Sequence, residues 1–281
     1  MTIRQITGEI EQAYALKQIS IAYTEIASNK LHKIRSMVEK NRSFLTELSG
    51  VYKIVKQQAY QRKLLQPKKK KTVSVLLTSN EHFFGNINQA LTAYFTNAMK
   101  DGVSDLVVIG NTANEWLKGV GYKAPYTFVH LQRDYPTNQE LDGLVQTIKD
   151  YNQIVVFHSQ MKTVLLQTST SVDITQTTYL RHVSAEEQAR EFFIFEPELV
   201  KILDFFEREV MNLLLQQAFL EANLSQTASR LVAMDQSQLN ADKVISGENI
   251  LLDHARRTIA NTRLLETYSA LMLRKENAFY D

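Results

Sequence analysis

The chain has 281 residues with 32 basic and 30 acidic side chains, so its formal net charge is only +2. This length allows one or two domains at roughly 150 residues each, and the near balance of charge argues against a dedicated nucleic-acid binder. The absence of cysteine excludes disulfides, thiolate metal sites and cysteine nucleophiles. No apolar run approaches the roughly 18 residues of a membrane span, and the first residues lack a signal-peptide core. We therefore expect no direct membrane insertion.

The first sixty residues carry the pattern of one long helix. Neither glycine nor proline occurs between Gly8 and Gly50. Apolar residues in this stretch recur at three- and four-residue steps, as at Ile3, Ile6 and Ile10. This spacing places an apolar stripe along one side of a helix. We assign residues 1–60 to an N-terminal coiled-coil helix.

Most of the nine glycines and four prolines fall in the middle of the chain, where strand and helix patterns alternate. Strands are predicted at 72–78, 105–109, 127–131, 154–157 and 192–195, and helices near 88–99, 113–117 and 139–149. Residues 164–167 and 172–179 are predicted to add an antiparallel edge or hairpin. The alternation predicts a central Rossmann-like α/β domain with crossover helices over residues 68–197.

The last part of the chain predicts a second long helix. After Pro197 only Gly247 interrupts it, and apolar residues again follow helical steps, as at Leu252, Ala255 and Ile259. A helix starting near Glu207 and running to the end would exceed about 100 Å. Its apolar stripe needs a partner, and the N-terminal helix can supply one. The sequence therefore predicts an antiparallel coiled coil of the two ends, with residues 205–281 as its C-terminal helix.

The usual signatures of catalysis and of nucleotide binding are missing from the sequence. No glycine-rich loop ends in Gly-Lys-Ser/Thr, and Gly110 after the second strand predicts only a tight turn. The six histidines are dispersed, without metal-ligand spacing. Glu81 and His82 are interpreted as a solvated loop rather than an acid–base pair. We expect no active site, metal or cofactor in this chain.

A run of four lysines is the densest charge cluster, formed by Lys68, Lys69, Lys70 and Lys71. Such a run can meet phosphates or acidic lipid. It more often keeps an exposed strand edge soluble, and the small net charge favours this structural interpretation.

Residues 220–241 read LEANLSQTASRLVAMDQSQLNA. This segment resembles the signature of the gamma subunit of F-type ATP synthases, L-E-S-x-x-S-E-x-x-A-R-M-x-A-M-x-x-A-x-x-N-A. The matching positions are Leu220, Glu221, Ser225, Arg230, Ala233, Met234, Asn240 and Ala241. Further matches lie along the rest of the chain, at Ile10, Ile19, Ser20, Ala22, Ala27, Lys30, Leu31, Thr78, Ser79, Gly85, Ile87, Asn88, Glu196 and Pro197.

Several positions depart from the family pattern. In the loop after the first strand, His82 and Asn86 replace expected glycines and Phe84 replaces a cysteine or alanine. Near the C-terminus, Arg257 replaces a glutamine and Arg263 a glutamate. These changes indicate a divergent bacterial or alternative branch of the family.

The resemblance implies a non-catalytic subunit that forms the central stalk of a rotary F-type ATP synthase. Such a shaft couples ion flow through the membrane c-ring to ATP synthesis or hydrolysis in the ring of alpha and beta subunits. The implied partners are the alpha and beta subunits, the epsilon subunit and the c-ring. The implied location is the cytoplasmic face of the bacterial plasma membrane. Two alternatives stay open: a gamma-like part of a specialised F-type-derived motor, and a coiled-coil scaffold outside energy conversion.

The resemblance also implies two sets of contact residues. The charged and polar contacts with the alpha/beta ring are expected at Tyr23, Lys30, Arg230, Arg256 and Arg257. Arg230 corresponds to the position that faces an acidic loop of the beta subunit, and Arg256 with Arg257 to an Arg-Gln pair that meets a second loop. An apolar bearing tip is expected at Leu264, Leu265, Tyr268, Leu271 and Met272.

Overall fold

The computed structural model describes residues 2–62, 70–100, 104–175 and 196–277. Their elements are, in chain order, α1 (Ile3–Gln61), β1 (Lys70–Leu77), α2 (Ile87–Ala98), β2 (Asp105–Ile109), α3 (Asn111–Val120), β3 (Thr127–Val129), α4 (Asn138–Ile148), β4 (Tyr151–Met161), β5 (Gln167–Asp173) and α5 (Leu199–Asn277). The chain divides into two compact units. The helical unit comprises residues 1–26 and 233–281, and the mixed unit residues 27–232.

In the helical unit, α1 and α5 pack side by side in opposite directions. Three contacts define the direction: Ile10 clusters with Leu252, Lys17 Nζ lies 2.6 Å from Asp242 Oδ1, and Ser20 Oγ donates to Ser237 Oγ at 2.9 Å. Residue numbers rise along α1 while those of the partners fall along α5. The antiparallel pairing of the two chain ends, predicted from their apolar stripes, is confirmed.

The mixed unit is built on one five-stranded sheet with the order β3-β2-β1-β4-β5. Its first four strands are parallel, and β5 pairs antiparallel with β4. In the centre of the sheet, Val75 of β1 pairs with Val107 of β2 on one side and Val156 of β4 on the other. Helices connect the parallel strands, as an α/β architecture requires. The predicted fold class, long helices with a central Rossmann-like α/β domain, is confirmed.

Both faces of this sheet are buried, because alternate side chains along each strand enter different clusters. Val73, Val75 and Leu77 face a cluster that includes residues of α1, α4 and the start of α5. Leu76 faces the opposite cluster, formed with α2 and α3. Burial on both sides explains why the central strands read as continuous apolar runs.

The strand and helix predictions differ from the structure in a few places. Residues 164–166 form the turn of the β4–β5 hairpin, and β5 is the polar segment Gln167–Asp173. Helix α5 begins at Leu199, earlier than Glu207, because Leu199 and Leu203 are buried in the core. The predicted strand at 192–195 and the side chains of the lysine run lie outside the described residues. Among the described helices, none has an apolar stretch long enough to cross a lipid bilayer.

Candidate functional site

The last turns of α5 have large apolar side chains exposed to solvent. Up to residue 272, where the described side chains of the helix end, the last buried residue is Leu252, which packs with Ile6 and Ile10 near the start of α1. Beyond Ala255, every residue from 256 to 272 is exposed. Leu264 and Leu265 are 68% and 67% exposed, and Tyr268, Leu271 and Met272 are exposed with them. The five residues of the predicted bearing tip are thus on the surface of the isolated chain.

The outer surface of the helical unit is also rich in aliphatic side chains. Exposed apolar residues occur on both helices, at Tyr14, Leu16, Ile19, Ile26, Leu239, Val244, Ile250 and Leu251. The outer face of a coiled coil in water is usually polar or charged. An apolar outer surface of this kind marks a region that contacts other protein.

Inside the helical unit, a polar layer interrupts the apolar packing. Ser20 is buried and donates to Ser237 Oγ, and Gln238 Nε2 donates to Thr24 Oγ1 at 2.8 Å. Polar groups at buried positions of a coiled coil select one register, since any slip would leave them without partners. The half-buried Tyr23 lies next to this layer.

The predicted contact residues of the helical unit fall into two separate places. Tyr23 lies at the polar layer, near Gln238. Arg256 and Arg257 are exposed and lie about 27 Å further along α5, at 1.5 Å per residue. The structure therefore does not bring Tyr23 and Arg256 together. Arg256 is exposed on the outer surface of the unit, whereas Tyr23 is half-buried.

Arg230, in the mixed unit, is buried, unlike the other predicted contact residues. Its side chain is 7% exposed, and Nη2 donates to Glu81 Oε2 at 2.9 Å and to the carbonyl of His82 at 3.0 Å. The guanidinium carbon lies 3.9 Å from the centre of the Phe84 ring, in cation–π contact. Lys30, on α1 in the same unit, is half-buried.

The loop that follows β1, residues 78–86, is fastened to α5 and to the first turn of α2 by further hydrogen bonds. Ser229 Oγ donates to the carbonyl of Phe84 at 2.7 Å, and Asn88 Nδ2 donates to Ser79 Oγ at 2.6 Å. Phe83 has a φ of 66°, a conformation uncommon outside glycine. Sequence reasoning did not identify Glu81 and Phe84 as partners of Arg230. The signal that pointed to this loop was its departure from the family pattern at 82, 84 and 86.

The backbone donors at the turn from β2 into α3 are not free to bind a phosphate. Gly110 has a φ of 100°, and a Cβ placed on it would lie 2.5 Å from the carbonyl oxygen of Thr78. The backbone N–H groups that open α3 are all used within the chain: Asn111 donates to Asn80 Oδ1, Thr112 to the Ser79 carbonyl and Ala113 to Thr78 Oγ1. Anions bind helix N-termini through such groups when they are free. Gly110 therefore forms a tight turn, as predicted.

His158 is a buried histidine whose surroundings favour its neutral form. Burial lowers its pKa from the usual value, and its Nδ1 lies 3.1 Å from the carbonyl of Ser159. Within the part of the chain that the structure describes, no group of three His, Asp or Glu side chains is placed to hold a metal ion. His158 is a packed side chain of β4.

Comparison with known proteins gives one family over nearly the whole chain. The family model described as ATP synthase matches residues 2–271. The ATP synthase gamma chain of Phocaeicola vulgatus is 20% identical, over 96% of this chain and 99% of its own length. The ATP synthase gamma chain of Staphylococcus saprophyticus is 22% identical, over 94% of this chain and 96% of its own.

Solved structures with the same fold come from two mitochondrial ATP synthases. The chain is similar to one in the central stalk/c-ring structure from Tetrahymena thermophila, with a TM-score of 0.58 and 18% identity over 78% of this chain and 98% of that chain. It is also similar to a chain in the OSCP/F1/c-ring structure from Euglena gracilis, with a TM-score of 0.55 and 12% identity over 87% of this chain and 94% of that chain.

Proposed function

Because the chain belongs to the ATP synthase family and is the rotor shaft of an F-type complex, we propose how its surfaces meet the individual subunits. The helical unit lies inside the ring of alpha and beta subunits. The mixed unit stands on the c-ring together with the epsilon subunit, and two of its residues, Lys30 and Arg230, meet the alpha/beta ring. Rotation of the shaft then couples ion flow through the c-ring to ATP synthesis or hydrolysis in the ring. We place the membrane-associated complex at the cytoplasmic face of a bacterial plasma membrane, because the named gamma-chain relatives are bacterial.

The exposed apolar end of α5 is the single observation that supports this placement most strongly. Leu264 and Leu265 are two-thirds exposed in the isolated chain. Burying apolar surface of this kind is favourable by about 25 cal/mol for each Å² removed from water. An enclosing ring of protein removes this surface from water. Apolar contacts are also non-directional, so they hold the helix end in place without fixing its angle. This combination suits a bearing, and we assign that role to Leu264, Leu265, Tyr268, Leu271 and Met272.

The directional contacts are made by polar side chains below the bearing. Arg256 and Arg257 are exposed on α5 and can bind carboxylates of the ring through two parallel hydrogen bonds. Tyr23 and Lys30 supply further contacts on α1. Arg230 differs from these residues because its guanidinium is buried. Any contact at its position has to involve the loop that covers it.

The proposal is tested by assembling the chain with the alpha and beta subunits from its own source. We expect the chain to co-purify with both subunits and to restore ATP hydrolysis that depends on its presence. Replacing Leu264 and Leu265 together by serine is expected to weaken assembly, because the bearing loses its apolar surface. The matched control is the double serine variant of Leu165 and Leu166, two exposed leucines in the turn of the β4–β5 hairpin.

Two outcomes would count against the proposal. The first is a chain that stays monomeric in the presence of both subunits. The second is an assembly that tolerates the Leu264/Leu265 variant as well as the Leu165/Leu166 variant. A third outcome would favour the second candidate function, a specialised F-type-derived motor. In that outcome the chain assembles and the complex hydrolyses ATP but does not synthesise ATP in sealed vesicles. The reason for considering this candidate is that the chain departs from the family pattern at 82, 84, 86, 257 and 263.

A further inference from the structure

The ion pair between Arg230 and Glu81 is asymmetric in its exposure. The Arg230 side chain is 7% exposed, whereas that of Glu81 is 62% exposed. The carboxylate is thus the solvent-facing half of the pair, and the guanidinium lies beneath it. A buried guanidinium needs a counter-charge, because an uncompensated charge in the interior is strongly destabilising. In the isolated chain Glu81 supplies that charge.

The other contacts of Arg230 hold its guanidinium in place independently of Glu81. The ring of Phe84 lies against one face of the guanidinium, and the carbonyl of His82 accepts from Nη2. Ser229 fixes the backbone of Phe84 through a hydrogen bond of 2.7 Å. These contacts involve α5, the ring of Phe84 and the backbone of the loop, and they do not require the side chain of Glu81. The carboxylate can leave while the guanidinium stays oriented.

We propose that Glu81 is a built-in counter-ion that occupies Arg230 until an acidic segment of a neighbouring subunit replaces it. The inference rests on the proposed function, in which the position of Arg230 meets the alpha/beta ring. A carboxylate is the group that pairs best with a fixed guanidinium. Exchange of one carboxylate for another keeps the buried charge paired. Glu81 therefore sets how strongly Arg230 holds the partner.

Such an exchange suits a contact that must form and break as the shaft turns. When the acidic segment moves away, Glu81 can return, and the buried guanidinium is not left unpaired during the step. A shaft without this internal carboxylate would hold the acidic segment more tightly and release it more slowly. Glu81 thus lowers the affinity of Arg230 for the acidic segment and speeds the release of that segment during rotation.

The test compares wild type with Glu81→Gln, Arg230→Gln and the double variant in the complex with alpha and beta subunits. Glu81→Gln keeps the size and an acceptor oxygen but removes the competing charge. We expect it to strengthen binding to the ring about tenfold, within the range of a charge-assisted hydrogen bond, and to lengthen the pauses of ATP-driven rotation. In the Arg230→Gln background the same substitution should have no effect. The control is Asp142→Asn, which removes the carboxylate from the exposed Arg208–Asp142 pair of the same unit.

The sign of the affinity change separates this role from a purely structural one. If the pair only fastened the loop to α5, Glu81→Gln would weaken binding or leave it unchanged, and either result would overturn the inference. An increase that persists in the Arg230→Gln background would overturn it too. Failure of the wild-type chain to assemble would overturn the proposed function itself, and the inference with it. Circular dichroism of each free variant checks that the fold is retained.

Discussion

Replacement of Gly110 by alanine tests the junction on which the sheet and α3 depend. Gly110 lies between β2 and α3 with a φ of 100°, in the region that favours glycine. A Cβ at this position would lie 2.5 Å from the Thr78 carbonyl oxygen and 2.6 Å from Thr78 Oγ1. Thr78 Oγ1 donates to the Ile109 carbonyl and accepts from Ala113 N–H. The added methyl group therefore has to displace backbone at the end of β1.

The cost of Gly110→Ala can be estimated from two parts. A non-glycine residue held at an unfavourable positive φ costs about 1–3 kcal/mol. Overpacking against backbone that cannot rotate away costs about 1–3 kcal/mol more. Together these two parts predict a loss of roughly 2–6 kcal/mol in the free energy of unfolding of the mixed unit.

The assay uses the intrinsic fluorescence of Trp116, the one tryptophan of the chain, which lies in α3. Urea titration followed at this residue reports the unit that contains the substitution. Gly119→Ala in the same helix is the matched control, because no atom lies within 4 Å of its added Cβ. It is expected to raise stability by up to about 1 kcal/mol. Equal effects of the two substitutions, or a loss below about 1 kcal/mol for Gly110→Ala, would refute the reasoning.

Three further predictions concern other parts of the chain. Thr137→Ala removes the capping box that Thr137 forms with Glu140 and should destabilise α4 by about 1 kcal/mol. Amide hydrogen exchange in residues 141–148 should become faster in this variant. Thr137→Ser should retain most of the protection. Burial lowers the pKa of His158, so below about pH 6.5 the unfolded chain takes up a proton that the native chain does not. Lowering the pH below this value should therefore lower the free energy of unfolding, by up to about 1.4 kcal/mol per pH unit for this group. Urea titrations at several pH values should show a smaller decrease for His158→Gln than for the wild type. Equal slopes for the two proteins would contradict this origin of the pH dependence. Arg256→Ala is expected to change the ATPase rate or torque of the reconstituted complex more than Arg263→Ala, another exposed arginine of α5; an unchanged motor would contradict the assigned contact.

The two long helices and the parallel strands could be predicted because residues close together in the sequence determine them. The scarcity of glycine and proline at both ends, together with three- and four-residue apolar steps, is enough to indicate α1 and α5. The inner strands are buried on both faces, so they appear as short apolar runs such as the one in β2. The parallel direction of these strands then follows from the crossover helices.

The edge strand β5 was less predictable, because its side chains are mostly polar and it is held mainly by its backbone hydrogen bonds to β4. Strand β5 is polar apart from Val172, which packs against the core. The residues at 164–167 were predicted to form part of an antiparallel edge, yet 164–166 form the exposed turn and β5 begins at Gln167. A pattern of hydrophobicity cannot identify a strand whose side chains are not required in the core.

The environment of Arg230 could not be predicted from the sequence. Its ion-pair partner, Glu81, lies 149 positions away in the chain, and no local pattern links the two residues. Family resemblance indicates that Arg230 matters but describes it as a surface contact. The structure adds that the guanidinium is covered by the 78–86 loop, in which this chain departs from the family pattern.

The role as a rotor shaft is tested most directly by watching the chain turn. The sequence contains no cysteine, so Lys118→Cys on the exposed side of α3 would provide a unique attachment point for a probe in the mixed unit. With the alpha/beta ring fixed to a surface, we expect the probe to rotate in one direction. This rotation should require ATP and should stop when ATP is removed. A probe that shows only random motion while the bound complex hydrolyses ATP would contradict it.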